Sequence, residues 1–172
     1  MKTKATVEDL KSLVDTLESQ KIKYVVIAGF GLDRRRGYQT RQHQDIDILC
    51  LKDDEDRTVK LVEGMGYRET GWQGNLHKLR KADGTKLDLC FLEQEGEELV
   101  TYGNRETRFP GELFDQAQRG SIDGIGFNIA PDELLKTWGL DSRKGDDAEY
   151  AERIPVDYRL WDRILRTQRT DI

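Results

Sequence analysis

The sequence predicts an α/β (α+β) protein in which helices flank a mixed β-sheet. Residues 6–20, TVEDLKSLVDTLESQ, repeat Leu10, Leu13, Val14 and Leu17 at the spacing of one buried helix face. The run Tyr24-Val25-Val26-Ile27-Ala28 is apolar without a break, as in a strand buried on both sides. Two later apolar runs, residues 46–51 and 86–92, have strand length and lie on either side of further helical and hairpin patterns. At 172 residues the chain suits a single domain, with a core over 1–130 and a helical C-terminal segment over 131–172.

Each element follows from local signals. Thr6 and Asp9 form a capping-box pattern ahead of the first helix. Residues 21–28 form the first central strand, which breaks at Gly29-Phe30-Gly31, and residues 32–36 form a short helix after that glycine turn. The second strand covers residues 46–51. Residues 53–64 start with acids and end on glycine, both helix signals. Residues 67–72 read as a short strand, and residues 76–81 and 86–92 flank Asp83-Gly84, a hairpin turn. Residues 93–98, EQEGEE, read as an acidic loop. Residues 112–119 read as a short helix, and residues 122–129 as a strand with a tight Asp123-Gly124 turn at its start. Pro131 opens a further helix, and residues 150–166 carry the apolar pattern of a terminal helix. Trp72, Trp138 and Trp161 are assigned to core packing.

Composition narrows the function classes. Net charge is -5, which argues against nucleic acid, whose phosphate backbone requires clustered cations. The short cluster Arg34-Arg35-Arg36 fits either a solvated helix face or a place near phosphates. No stretch approaches the roughly 20 apolar residues of a membrane span, and the amphipathic, acidic N-terminus lacks a signal-peptide pattern, so no membrane association and a cytoplasmic location are expected. Cys50 and Cys90 are too few for a disulfide framework and fit buried strand positions.

The chemistry concentrates in Asp45-Ile46-Asp47 and Leu87-Asp88-Leu89. Alternation along a strand puts Asp45 and Asp47 on one face. Burying like charges costs several kcal/mol unless a cation offsets them. If the strand of Asp88 neighbours that of Asp45 and Asp47, three carboxylates converge. That oxygen set suits one or two magnesium ions and substrate phosphates. On the residues alone, a strand end at the surface remains the alternative reading.

Gly29-Phe30-Gly31-Leu32-Asp33, Gly37-Tyr38-Gln39-Thr40-Arg41-Gln42-His43 and Asp45-Ile46-Asp47 resemble the antibiotic nucleotidyltransferases. They are most similar to the lincosamide and aminoglycoside 2''-adenylyltransferase group, with its pattern G-G-W-x-x-D, then G-R-x-T-R-x-H-x-D-I-D. The match covers about residues 24–92, and residues 121–139 are similar to the group's next strand and helix. Ala28 stands where the group has its first glycine, Phe30 replaces its tryptophan, and Gln42 replaces the acid before the histidine.

The resemblance implies a polymerase-β-like nucleotidyltransferase fold and transfer of a nucleoside monophosphate, usually from ATP, to a hydroxyl of a small acceptor such as an aminoglycoside or lincosamide. Asp45, Asp47 and Asp88 would hold Mg2+, with Asp88 as metal ligand or general base. Gly29, Phe30 and Gly31 would lie at the nucleotide, with Arg41 as a phosphate clamp and His43 orienting the acid strand or touching nucleotide. Lys136 is assigned either to phosphate or to the surface. A homodimer is compatible with the group. The alternatives are a toxin–antitoxin type of nucleotidyltransferase acting on protein or RNA, and a non-catalytic nucleotide-binding module.

Overall fold

The computed structural model describes residues 4–34, 36–102, 105–131 and 166–169. Helix α1 (Val7–Ser19) begins at the expected capping box: Thr6 N–H donates to Asp9 Oδ2 at 2.9 Å and Asp9 N–H donates to Thr6 Oγ1 at 3.3 Å. Such a cap is worth about 1 kcal/mol. The face carrying Val7, Leu10, Leu13, Val14 and Leu17 is buried against the sheet.

The strands are β1 (Tyr24–Ile27), β2 (Asp45–Leu51), β3 (Arg68–Gln73), β4 (Leu76–Arg80), β5 (Lys86–Glu95), β6 (Glu98–Thr101), β7 (Arg105–Pro110), β8 (Gln118–Ile122), β9 (Ile125–Ile129) and β10 (Arg166–Arg169). Their order is β10-β7-β6-β5-β2-β1-β9-β8, with β4 and β3 branching from β5. The sheet is mixed: β2 runs antiparallel to β1 and parallel to β5, and β1 runs parallel to β9. Helices α2 (Ala28–Asp33) and α3 (Glu55–Gly64) complete the described elements, the latter entered through one 3-10 turn at Lys52–Asp54.

Strand β5 is the hub. Its first seven residues, 86–92, pair with β2 on one side, and residues 86–90 pair with β4 on the other, while residues 93–95 pair with β6. Ile46 and Ile48 of β2 and Leu87 and Leu89 of β5 are fully buried in the same core as the α1 face. Alternation therefore turns Asp45, Asp47 and Asp88 to the opposite face. The Asp83-Gly84 hairpin forms as expected, closed by Lys81 N–H donating to the Thr85 carbonyl at 2.9 Å.

Several elements differ from the sequence reading. Gly29, Phe30 and Gly31 lie inside α2, not in a turn before it, and the helix ends at Asp33, short of residue 36. Residues 93–98 are not a loop: strand continues to Glu95 and resumes at Glu98, with the turn confined to the residues between. The helix expected over residues 112–119 is a series of turns leading into β8. The expected Asp123-Gly124 turn forms, with φ of 49° and 80°, the pair of positive values that a tight two-residue turn requires, but it makes residues 122–129 the last residue of β8, the turn and β9 rather than one strand. Trp72 lies at the surface, 72% exposed, rather than in the core. Trp138, Trp161, Lys136 and most of the expected C-terminal helical segment lie outside the described residues; of that segment, Arg166–Arg169 is strand, paired with β7. Among the described residues no helix is long and apolar enough to cross a membrane.

Candidate active site

The parallel register of β2 and β5 sets Asp47 directly opposite Asp88 and Asp45 opposite Lys86. Register partners share a face, so Asp45, Asp47 and Asp88 occupy one patch of the sheet. The next strand extends the row, because Lys78 of β4 lies opposite Asp88 and its Nζ approaches Asp88 Oδ2 at 3.4 Å. Burial pushes the Asp47 carboxyl well above the usual carboxylate range, and the charges of Asp45 and Asp88 push it further, against a smaller pull from Lys78. Burial also raises Asp88, with the Lys78 ammonium opposing. Like charges collected at a partly buried place are unfavourable by themselves, and hard oxygen donors are what magnesium prefers. The donor chemistry therefore fits the ion. The side chains are not gathered into a ready coordination set: among the described residues, no three His, Cys, Asp or Glu groups are arranged to hold a metal.

A second cluster aligns the start of α2 with this patch. Ile27, the residue before the helix, is the register partner of Asp47. Ala28 then takes φ of 51°, in the left-handed region that costs a non-glycine residue roughly 1–2 kcal/mol. Gly29 follows because His43 lies against it: a Cβ there would sit 2.2 Å from His43 Nδ1. His43 is buried, stacks at a tilt on the buried Phe30 with ring centroids 4.4 Å apart, and places Nε2 2.6 Å from Asp33 Oδ2. Asp33, also buried, accepts from Thr40 N–H at 3.1 Å and from the Thr40 hydroxyl. The His43 carbonyl accepts from Ala5 N–H at 2.9 Å, tying the strand entrance to the chain ahead of α1. Asp33, Thr40 and His43 thus brace the loop between α2 and β2, in which Arg41 is partly buried.

With this geometry in view, residues 9–125 match the aminoglycoside-2''-adenylyltransferase family. The chain belongs to that family. The lincosamide resistance protein of Staphylococcus haemolyticus is 28% identical over 102 residues, 59% of this chain and 63% of the relative, so the match spans less than two thirds of that protein's length. A lincosamide antibiotic adenylyltransferase with lincomycin bound superposes with a TM-score of 0.67 at 19% identity, covering 88% of this chain and 99% of the other. The aminoglycoside enzyme ANT(2'')-Ia, in complex with adenylyl-2''-tobramycin, gives a TM-score of 0.57 at 19% identity over 88% and 84% of the two chains. These likenesses establish the nucleotidyltransferase fold.

Membership gives the α2 cluster a clearer meaning. Ala28, which the motif comparison sets at the group's first glycine, has φ of 51°, the backbone setting that favours glycine. Of the five residues expected at the nucleotide, Phe30, Gly31 and His43 are buried, while Gly29 and Arg41 are partly accessible. The sequence reading gave no role to Asp33 or Lys78. Asp33 was visible as the acid closing the glycine motif; Lys78 had no signal, because only the β4–β5 register reveals it. Cys50 and Cys90 lie in strands as expected, and burial raises both thiols, Cys90 to about 11, with its Sγ 3.1 Å from Thr101 Oγ1.

The His43 contact gives a test of the brace. Gly29→Ala should destabilise the protein by about 1–3 kcal/mol, the usual cost of overpacking, or several degrees in melting temperature at this chain length. Thermal denaturation followed by circular dichroism measures it, and a melting temperature equal to wild type would show that His43 moves aside freely.

Proposed function

We propose that this protein is a magnesium-dependent nucleotidyltransferase that moves a nucleoside monophosphate, AMP from ATP, onto a hydroxyl of a small molecule. The observation that supports it best is the direct opposition of Asp47 and Asp88 across β2 and β5, with Asp45 on the same face. Asp45 and Asp47 would hold the magnesium, one ion or two, with Asp88 as a further ligand or as the general base; when bound, magnesium neutralises the triphosphate and polarises its α-phosphorus. The chain's own groups do the rest. The acceptor hydroxyl oxygen attacks the α-phosphorus, the bond from that phosphorus to the bridging oxygen breaks, pyrophosphate leaves, and the hydroxyl proton passes to Asp88. Gly29 and Gly31, lacking side chains, let the α2 backbone approach the nucleotide. Arg41, with its forked donors, serves as a phosphate clamp. His43 acts at one remove, bonding Asp33 and bracing the entrance to β2.

The test is transfer of label from α-labelled ATP, with magnesium, to a panel that includes lincomycin, tobramycin and neutral and phosphorylated sugars. A labelled product and released pyrophosphate, both lost with EDTA, are expected. The reading fails if no acceptor is labelled and the purified protein binds no ATP analogue in the presence of magnesium.

A further inference from the structure

The acid patch is bordered on one side by cations that the reaction above does not use. Register sets Arg68 of β3 opposite Arg80 of β4, Arg80 opposite Lys86 of β5, and Lys86 opposite Asp45. In the adjoining row Lys78 lies opposite Asp88, which lies opposite Asp47. Since register partners share a face, Lys78, Arg80 and Lys86 stand beside the three acids on the same side of the sheet. Like charges directly across a strand pair are destabilising, so Arg80 against Lys86, with Arg68 beyond, is a poor arrangement for a face that only meets water.

Asp45 and Asp88 face Lys86 and Lys78 across the strands, while carboxylates outside the acid patch turn elsewhere. Glu69 and Glu55 turn to His77, at 2.7 Å each. Arg68 donates to the Glu63 and Tyr67 carbonyls. Among the described residues, neither Arg80 nor Lys86 has an ion-pair partner, and Lys78 has only Asp88. Three acids face three cations, and a divalent ion on the acids is matched by the triphosphate it binds, so Arg80 and Lys86 keep charge that no ion pair among the described residues takes up.

Position decides what those cations meet. Helix α2 starts from β1, on one side of β2, whereas Lys78, Arg80 and Lys86 lie on the other side, on β5 and β4. With the nucleotide at α2, the cations border the side from which the acceptor reaches Asp88. We infer that this side selects an acceptor carrying an anionic group, a phosphate or carboxylate, held by Lys78, Arg80 and Lys86, and that it excludes polycationic aminosugars. This rests on the nucleotidyl-transfer reading and names the acceptor class of the same site.

Calorimetry on the full chain tests both in order. Magnesium and a non-hydrolysable ATP analogue are added to saturation, then ribose 5-phosphate, ribose or tobramycin is titrated. Ribose 5-phosphate should bind about tenfold more tightly than ribose, the scale of one charge-assisted contact. That preference should vanish in Arg80→Gln/Lys86→Gln, whose fold is checked by a cooperative melting transition no lower than wild type, and tobramycin should not bind. Tobramycin binding as tightly as the sugar phosphate would overturn the inference, as would an undiminished preference in the double variant. So would a sugar phosphate that binds only when the analogue is absent, because the cations would then serve the triphosphate. Failure of the analogue itself to bind overturns the nucleotidyl-transfer reading, and this inference with it.

Discussion

Asp47→Asn should abolish transfer and yet make the metal-free protein more stable at neutral pH. The loss of activity is expected to be roughly a thousandfold, about 4 kcal/mol of transition-state stabilisation, because the residue at the centre of the acid row no longer carries charge. The gain in stability follows from the same row. In the folded state the Asp47 carboxyl is raised by burial and then by Asp45 and Asp88. A raised acid binds its proton more tightly folded than unfolded, so stability falls as pH climbs from the ordinary carboxylate value through the raised one. Above that window the full cost is present; below about pH 4, where the carboxyl is protonated in both states, it is absent. Asparagine has the same shape and no charge. Relieving an unfavourable active-site group of this kind typically yields about 0.5–2 kcal/mol, or a few degrees in melting temperature.

Melting curves of the two proteins between pH 4 and 8, with and without magnesium, measure this. The variant's advantage should appear at pH 7–8 in EDTA and close towards pH 4. Magnesium should raise the wild-type melting temperature and leave the variant's unchanged. A variant less stable than wild type at pH 7, or one stabilised equally by magnesium, would show that Asp47 neither suffers the repulsion nor holds the ion.

The residues that could be read from the sequence are those whose signal is local. Alternation alone set Asp45 and Asp47 on one face, and an acid inside Leu87-Asp88-Leu89 stood out because apolar neighbours make it costly. The capping box of α1 and the Asp83-Gly84 hairpin follow from side chains three or fewer residues apart. What was missed depends on contacts distant in sequence. Gly29 and Gly31 looked like a chain break, yet they continue a helix; Gly29 is small because His43, fourteen residues on, fills the space beside it. Strand β7 was not recognised because RETRFP mixes charge and apolar residues without a clean alternation, and its partners β6 and β10 decide its state. Trp72 was placed inside on hydrophobicity alone, whereas its strand, among the described residues, pairs only with β4 and leaves it exposed. The Lys78 and Arg80 positions could not be assigned to a face until the pairing with β5 was known.

Asp88→Asn should separate proton transfer from nucleotide binding. Asp88 comes from β5 and contacts the patch from the side opposite α2, with Lys78 Nζ as its 3.4 Å neighbour. If it receives the acceptor's proton, the amide removes that function while Asp45 and Asp47 remain to support the nucleotide. A fall in kcat of about 10²–10⁴, the range for losing a general base, is then expected, with affinity for an ATP analogue and magnesium kept within a few-fold. Asp88→Glu should recover part of the rate, since it restores a carboxylate at a displaced position. Equal losses in rate and in nucleotide affinity would instead make Asp88 a metal ligand before anything else. A kcat within tenfold of wild type would remove it from the chemistry. The Lys78 ammonium makes the distinction sharper: it opposes the rise of Asp88 from 3.4 Å and pulls on Asp47 only as the smallest influence there, so in Lys78→Met a proton-accepting Asp88 should respond in kcat more than analogue binding changes.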